Sequence, residues 1–310
     1  MTATADARGA AAPAPAPDVT AVSLLVLLCA SWGVQQVAIK LALVDIPPLI
    51  QMGIRYAGAF VLVLAWALMR GVSLFEKDGS LWPGLLSGGF FGVEFAMLYV
   101  ALDYTTASRV SLFLYTAPFF VALGAILLLP GERLRPLQWL GLAFSFGGVA
   151  LALGVPPPSA DLSSLVADGA CVVAGALWAG QTLTIRKSVL RTIRFEKVLL
   201  YQLGVAVIVA SALALVRGES LTLPVSTSSV MLVLYQMVWV VSVTYLIWFS
   251  LLSRYAAGPL QAGTSMTPIF GVAAGVIVLG EPMTPGFFAA VALVFVGLVL
   301  VNYRPRAKPA

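Results

Sequence analysis

Trp32, Gln35 and Gln36 stand at i, i+3 and i+4, so a helix through them carries all three on one face. Trp178, Gln181 and Thr182 write the same face again 146 residues later. A glutamine amide turned toward lipid leaves its hydrogen-bonding groups unmet, at a cost of several kcal/mol, so both faces must look inward. Amides and indoles sharing an interior offer neutral hydrogen bonds and a flat apolar wall. That is the chemistry of holding a small solute, not of breaking its bonds. The same residues can also glue helices together. Their duplication across the chain favours the lining of a cavity.

Two charges interrupt apolar runs. Arg55 lies eight residues from the start of its run and Glu94 nine from the end of its own. At 1.5 Å per residue, both sit about 12–14 Å below one surface of a bilayer. An unpaired charge at that depth costs ~2.5 kcal/mol or more. Arg55 and Glu94 are therefore expected to form an intramembrane charge pair or to face a wet cavity, where Glu94 can touch a solute. Tyr245 and Trp248, three apart, and Tyr235 and Trp239, four apart, are aromatic pairs at helical spacing. Such pairs serve packing or a ligand wall; the first is taken as a site pair, and the second also fits an interfacial belt.

Other chemistries lack their residues. The chain has no histidine and only two cysteines, Cys29 and Cys171, both inside apolar runs. No metal site, no cofactor and no catalytic constellation is expected. The net charge of +5 does not imply nucleic acid, because cytoplasmic loops of membrane proteins are basic.

The elements that must position these residues follow from composition. The chain is 60% hydrophobic and 10% charged, against roughly 25% charged in soluble domains. Ten apolar segments, 20–40, 47–70, 80–102, 107–129, 136–155, 163–185, 196–217, 228–252, 257–279 and 284–302, are each read as a transmembrane helix. With the N-terminus placed in the cytoplasm, 14 Lys and Arg fall inside and three outside, namely Lys40, Arg109 and Arg217. This bias puts both termini in the cytoplasm. Residues 1–18 read as a disordered cytoplasmic tail and 303–310 as a second cytoplasmic tail.

The segments fall into two sets. TAPFFVALGAILLLPGERLRP (116–136) and TPIFGVAAGVIVLGEPMTP (267–285) each open an apolar run with Pro, close it with Gly-Glu, and add a Pro four residues on. ASWGVQQVAIK (30–40) aligns with ALWAGQTLTIRK (176–187), and the Pro-rich 155–163 marks the join. The expected fold is an all-α integral membrane protein of two five-helix repeats, 19–155 and 163–302, around a central cavity. Five is odd, so the second repeat enters the membrane inverted. Glu132 then closes the cytoplasmic end and Glu281 the outer end. Inverted repeats with a site at their interface are the architecture of secondary transporters; the plainer alternative is a duplicated bundle built for stability. Pro118 and Pro268, mid-span in the two fourth helices, invite a kink that can be static or serve as a hinge. Gly84, Gly88 and Gly92 form a smooth stripe suited to close helix packing. Close pairing with Arg55 would keep Glu94 ionised and transport facilitative. With Arg55 turned elsewhere, Glu94 can carry a proton.

A Trp in each first helix, an A-L-x-Y-T-x-A-like turn before the fourth, and the doubled Pro…Gly-Glu…Pro phrase resemble the EamA-type branch of the drug/metabolite transporter superfamily. Within that branch, GVEFAMLYVAL (92–102), LYTAP (114–118), ALWAG (176–180) and TYLIWFS (244–250) are similar to bacterial aromatic amino-acid exporters. The resemblance implies a basket-shaped bundle in a bacterial inner membrane that exports amino acids and related metabolites. It also implies that Tyr115 and Trp178 face the cavity. Ala117 stands where those exporters carry a bulky residue, which implies a different size range. Efflux of lipophilic organic cations, held by Glu94 and the aromatics through cation–π contact, is the competing expectation.

Overall fold

The computed structural model describes residues 15, 17–129, 134–155, 161–255, 260, 261 and 263–302. Most of the expected N-terminal tail, Glu132, the Pro-rich join at 156–160, residues 256–259 and the tail 303–310 lie outside the described residues. Within them every regular element is helical. The long helices are α1 (Val19–Ala42), α2 (Pro48–Met69), α3 (Leu81–Tyr104), α6 (Pro136–Gly154), α7 (Leu162–Lys187) and α8 (Phe195–Arg217). Two further spans are composite: α4 (Ala107–Leu114) with α5 (Ala117–Leu128), and α9 (Thr227–Leu234) with α10 (Thr244–Arg254). Last come α11 (Thr267–Leu279) and α12 (Pro285–Asn302). Eight helical stretches are long and apolar enough to cross a membrane, and Thr264–Leu279 and Pro285–Val301 are shorter apolar helices.

The ends follow from local chemistry. Asp18 Oδ1 accepts from the Ala21 amide at 2.8 Å and Asp161 Oδ1 from the Ser164 amide at 2.9 Å, so each caps its helix. Gly218 and Gly280 end α8 and α11 at φ of 66° and 65°, which a side chain disfavours.

The kink expected at Pro118 and at Pro268 takes the form of an interruption of the helix just before each proline. Each proline stands in the first turn of a new helix, where a missing N–H costs nothing. The first repeat breaks at Tyr115–Thr116. The Thr116 hydroxyl donates to the Phe113 carbonyl at 2.7 Å, beside the Thr116 amide at 3.1 Å, so two donors hold the carbonyl at the break. In the second repeat a 3₁₀ turn, Thr264–Met266, precedes α11. The eighth span widens to a π-helix over Tyr235–Val243, a feature frequent at functional sites.

Packing pairs α2 with α8, α3 with α7 and α8, α1 with α11, and α6 with α12. The glycine stripe on α3 faces α8, because a Cβ on Gly88 would meet the Tyr201 carbonyl oxygen at 2.7 Å. Stripe and partner therefore pack closely, as expected.

One end of the bundle is tied by polar side chains. Glu281 accepts from the amides of Ala107 and Ser108 at 2.7 and 2.9 Å. Lys40 Nζ donates to the carbonyls of Leu102 and Thr105 at 2.9 and 2.5 Å, at the end of α3. Arg109 pairs with Asp168 at 2.6 Å. Arg217 pairs with Glu219 at 3.2 Å. So the three basic residues assigned to the outside are each held by a structural partner.

Candidate functional site

α1 and α7 present the duplicated faces to the interior, and each glutamine meets the neighbouring repeat helix. Gln35 Oε1 accepts from Arg55 Nη2 at 2.7 Å. Arg55 Nη1 donates to the Tyr99 hydroxyl at 3.0 Å, and that hydroxyl donates to Gln236 Oε1 at 2.9 Å. The guanidinium also lies over the rings of Tyr56, Phe95 and Tyr99, 5.1, 5.6 and 5.9 Å from their centroids. On the other side Gln181 Nε2 donates to Glu94 Oε2 at 2.8 Å. Gln202 Nε2 donates to Gln181 Oε1 at 2.8 Å and to Ser87 Oγ at 3.2 Å.

The two networks are related by the repeat. Arg55 and Gln202 are each seven residues beyond the first residue of their helix, α2 and α8. An amide on the first helix of each repeat thus meets a polar group at the same station of the second. One station holds a cation and the other an amide.

The expected ion pair between Arg55 and Glu94 does not form. Among the described residues neither side chain has an ion-pair partner. The reason is helical geometry. Tyr99 and Glu94 are five residues apart on α3, which turns them about 140° from each other. Arg55 follows Tyr99 toward α1, while Glu94 points to α7. Arg55 is 1% and Glu94 2% exposed.

Aromatic side chains stand beside both networks. Trp32 packs edge-on against Tyr245 and Trp248, with centroids 6.3 and 5.7 Å apart, and its Nε1 donates to Thr244 Oγ1 at 2.8 Å. Tyr115 meets Trp178 edge-on at 5.5 Å. Trp32, Trp178, Tyr245 and Trp248 keep part of their surface open, whereas Gln35, Gln36, Tyr115 and Gln181 are buried. Gln36 Oε1 has no hydrogen-bond partner. Tyr235 and Trp239 instead donate to the Ser31 carbonyl and hydroxyl, at 3.3 and 2.9 Å, and tie the π-helix to α1.

A cavity of about 380 Å³ opens elsewhere, between α1, α2 and α10, among Thr20, Leu24, Trp66, Ile247, Arg254 and Tyr255. None of the expected site residues lines it.

Sequence reasoning missed Tyr99, Gln202, Gln236 and Thr244. Gln202 had only a near signal: carried into the second helix, the 146-residue separation sets Tyr201 opposite Arg55, one residue short of Gln202.

A bundle of apolar helices with buried, separately held charges and aromatic walls is the build of a multi-pass membrane transporter. The chain belongs to the EamA-like transporter family, whose pattern matches it twice, over residues 19–154 and 165–303. An uncharacterized transporter of Archaeoglobus fulgidus is 27% identical over 250 residues, covering 80% of this chain and 85% of that one. The uncharacterized transporter YvbV of Bacillus subtilis is 27% identical over 306 residues, covering 95% of each. A protein of solved crystal structure shares the fold at TM-score 0.64 and 19% identity, over 91% of this chain and 95% of its own. None of the three singles out the aromatic amino-acid exporters. The family and its named relatives make the protein a transporter and not an enzyme.

Proposed function

We propose that this transporter exports amino acids, aromatic and other neutral ones, and related small metabolites from the cytoplasm by alternating access. The observation that carries the reading is the pair of glutamine-centred networks, Gln35–Arg55 and Gln181–Glu94, beside partly open aromatic walls. An amino acid needs polar contacts for its head and an apolar wall for its side chain, and this arrangement offers both. The short strings similar to the exporter YddG point the same way.

In this reading two inverted five-span repeats sit in a bacterial inner membrane with both termini in the cytoplasm. Each repeat closes one end of the path. The helix breaks before Pro118 and Pro268 are the hinges, because a broken helix can swing without losing backbone hydrogen bonds it never made. Efflux of lipophilic cations is the competing reading, and the buried Arg55 cation speaks against it.

The test is solute flux in proteoliposomes with labelled neutral amino acids and cationic dyes. Flux of amino acids, aromatic ones included, supports the proposal. Flux of dyes alone overturns it.

A further inference from the structure

The cavity of about 380 Å³ between α1, α2 and α10 shares no residue with the glutamine networks. Its lining is ordered along the helices. On α10, Leu246, Ile247, Ser250 and Arg254 fall at i, i+1, i+4 and i+8. They mark one face that runs about 12 Å from the aliphatic end to the guanidinium. On α1, Thr20 stands at the start of the helix and Leu24 one turn deeper. On α2, Trp66 stands in the last turn. The polar Thr20, Arg254 and Tyr255 thus gather at the helix ends, and Leu24, Leu246 and Ile247 lie a turn or more deeper.

Charge fixes the sign of an occupant. Arg254 is exposed and has no ion-pair partner among the described residues. Arg70, which follows α2, holds its guanidinium 5.9 Å from the centre of the Trp66 ring. The carboxylate at this end is engaged: Asp18 caps α1 and accepts from the Tyr255 hydroxyl at 2.8 Å. Two guanidiniums against one engaged carboxylate leave the mouth positive. The walls are helices long and apolar enough to cross a membrane, so the molecules of a bilayer reach the groove by lateral diffusion. The volume is at the low end for small-ligand sites, which suits a phosphate and the first part of a chain.

We propose that this groove holds an anionic phospholipid of the cytoplasmic leaflet, with its phosphate at Arg254 and one chain along Leu24, Ile247 and Trp66. Basic pockets between membrane helices on the cytoplasmic side bind anionic headgroups. A guanidinium offers phosphate oxygens two parallel donors. A zwitterionic headgroup adds an ammonium, which a positive mouth repels. The choice of leaflet rests on the proposed orientation of the chain. The preference for an anionic headgroup does not.

The experiment uses the full chain purified in detergent with an equal mixture of dioleoylphosphatidylglycerol and dioleoylphosphatidylcholine. Native mass spectrometry counts the lipid retained. The parent is expected to retain phosphatidylglycerol about fivefold over phosphatidylcholine, the factor that one arginine beside an anionic surface supplies. Arg254→Gln should remove that preference, and Arg254→Lys should keep most of it. Ile247→Trp fills the groove and should remove the retained phosphatidylglycerol. Arg254 is exposed, so its two variants decide if Ile247→Trp does not insert. Equal retention of both lipids by the parent would overturn the proposal. So would the parental preference in either Arg254→Gln or Ile247→Trp. Displacement of the lipid by excess inorganic phosphate would make this a site for a soluble anion and overturn it too. Thiol labelling that reverses the orientation would strike the leaflet and leave the headgroup preference standing, so the two failures are distinguishable.

Discussion

Glu281 holds Ser108 by two of the three hydrogen bonds in one carboxylate–helix contact. Its Oε2 accepts from the Ser108 amide at 2.9 Å and the Ser108 hydroxyl at 2.5 Å, while Oε1 takes the Ala107 amide at 2.7 Å. A carboxylate from one repeat thus caps the N-terminus of α4 in the other, where helix partial charge favours an anion. Glu281→Ala should lower stability by about 2–3 kcal/mol, the scale of hydrogen bonds to a buried charge. Glu281→Gln should cost less. Thermal unfolding in detergent measures both, and an unchanged midpoint for the alanine variant would refute the cap.

Arg109 and Asp168 are both buried and paired at 2.6 Å. Arg109→Met leaves Asp168 with no counter-ion and should cost about 3–5 kcal/mol. Arg109→Met with Asp168→Leu should recover much of that loss, because the bare charge is gone. Recovery is read as the difference between the two unfolding midpoints.

Trp178 and Gln181 should now behave differently. Trp178 is partly open, so Trp178→Ala should lower amino-acid flux with insertion and folding intact. Gln181 links Glu94 to Gln202. Gln181→Ala strips a partner from two buried groups and should destabilise by about 1–3 kcal/mol as well as lower flux. Equal unfolding midpoints for the two variants would count against this division.

Orientation is checked by thiol labelling. An impermeant thiol reagent on intact cells should label single cysteines in 155–163 and not those in 186–197, in a background without Cys29 and Cys171. Labelling of 186–197 from outside would reverse the proposed topology.

Energy coupling turns on Glu94. A close Arg55 would have favoured facilitative transport, but Arg55 is engaged with Gln35 and Tyr99. With Arg55 turned elsewhere, Glu94 is the carboxylate we propose to carry the proton. A pH gradient should drive uphill accumulation in the parent and not in Glu94→Gln, with downhill flux surviving. Equal accumulation in both proteins would clear Glu94 of coupling.

The sequence alone determined the solvent, the helical class and the duplication. Those properties live in composition and in strings that lie along the chain: apolar runs of spanning length, the doubled Pro…Gly-Glu…Pro phrase and the repeated Trp–Gln face. It also picked out Gln35, Gln181, Arg55 and Glu94, because polar groups in apolar runs must find inward partners. Which partners they find was decided only in three dimensions. A linear count of residues sets Arg55 and Glu94 at one depth, and depth is all that such a count can give. The rotation of α3 between positions 94 and 99 sends their partners to opposite sides. The contacts that complete both networks, at Tyr99, Gln202 and Gln236, come from helices whose angular setting is fixed by packing, such as the close approach of the glycine stripe on α3 to α8.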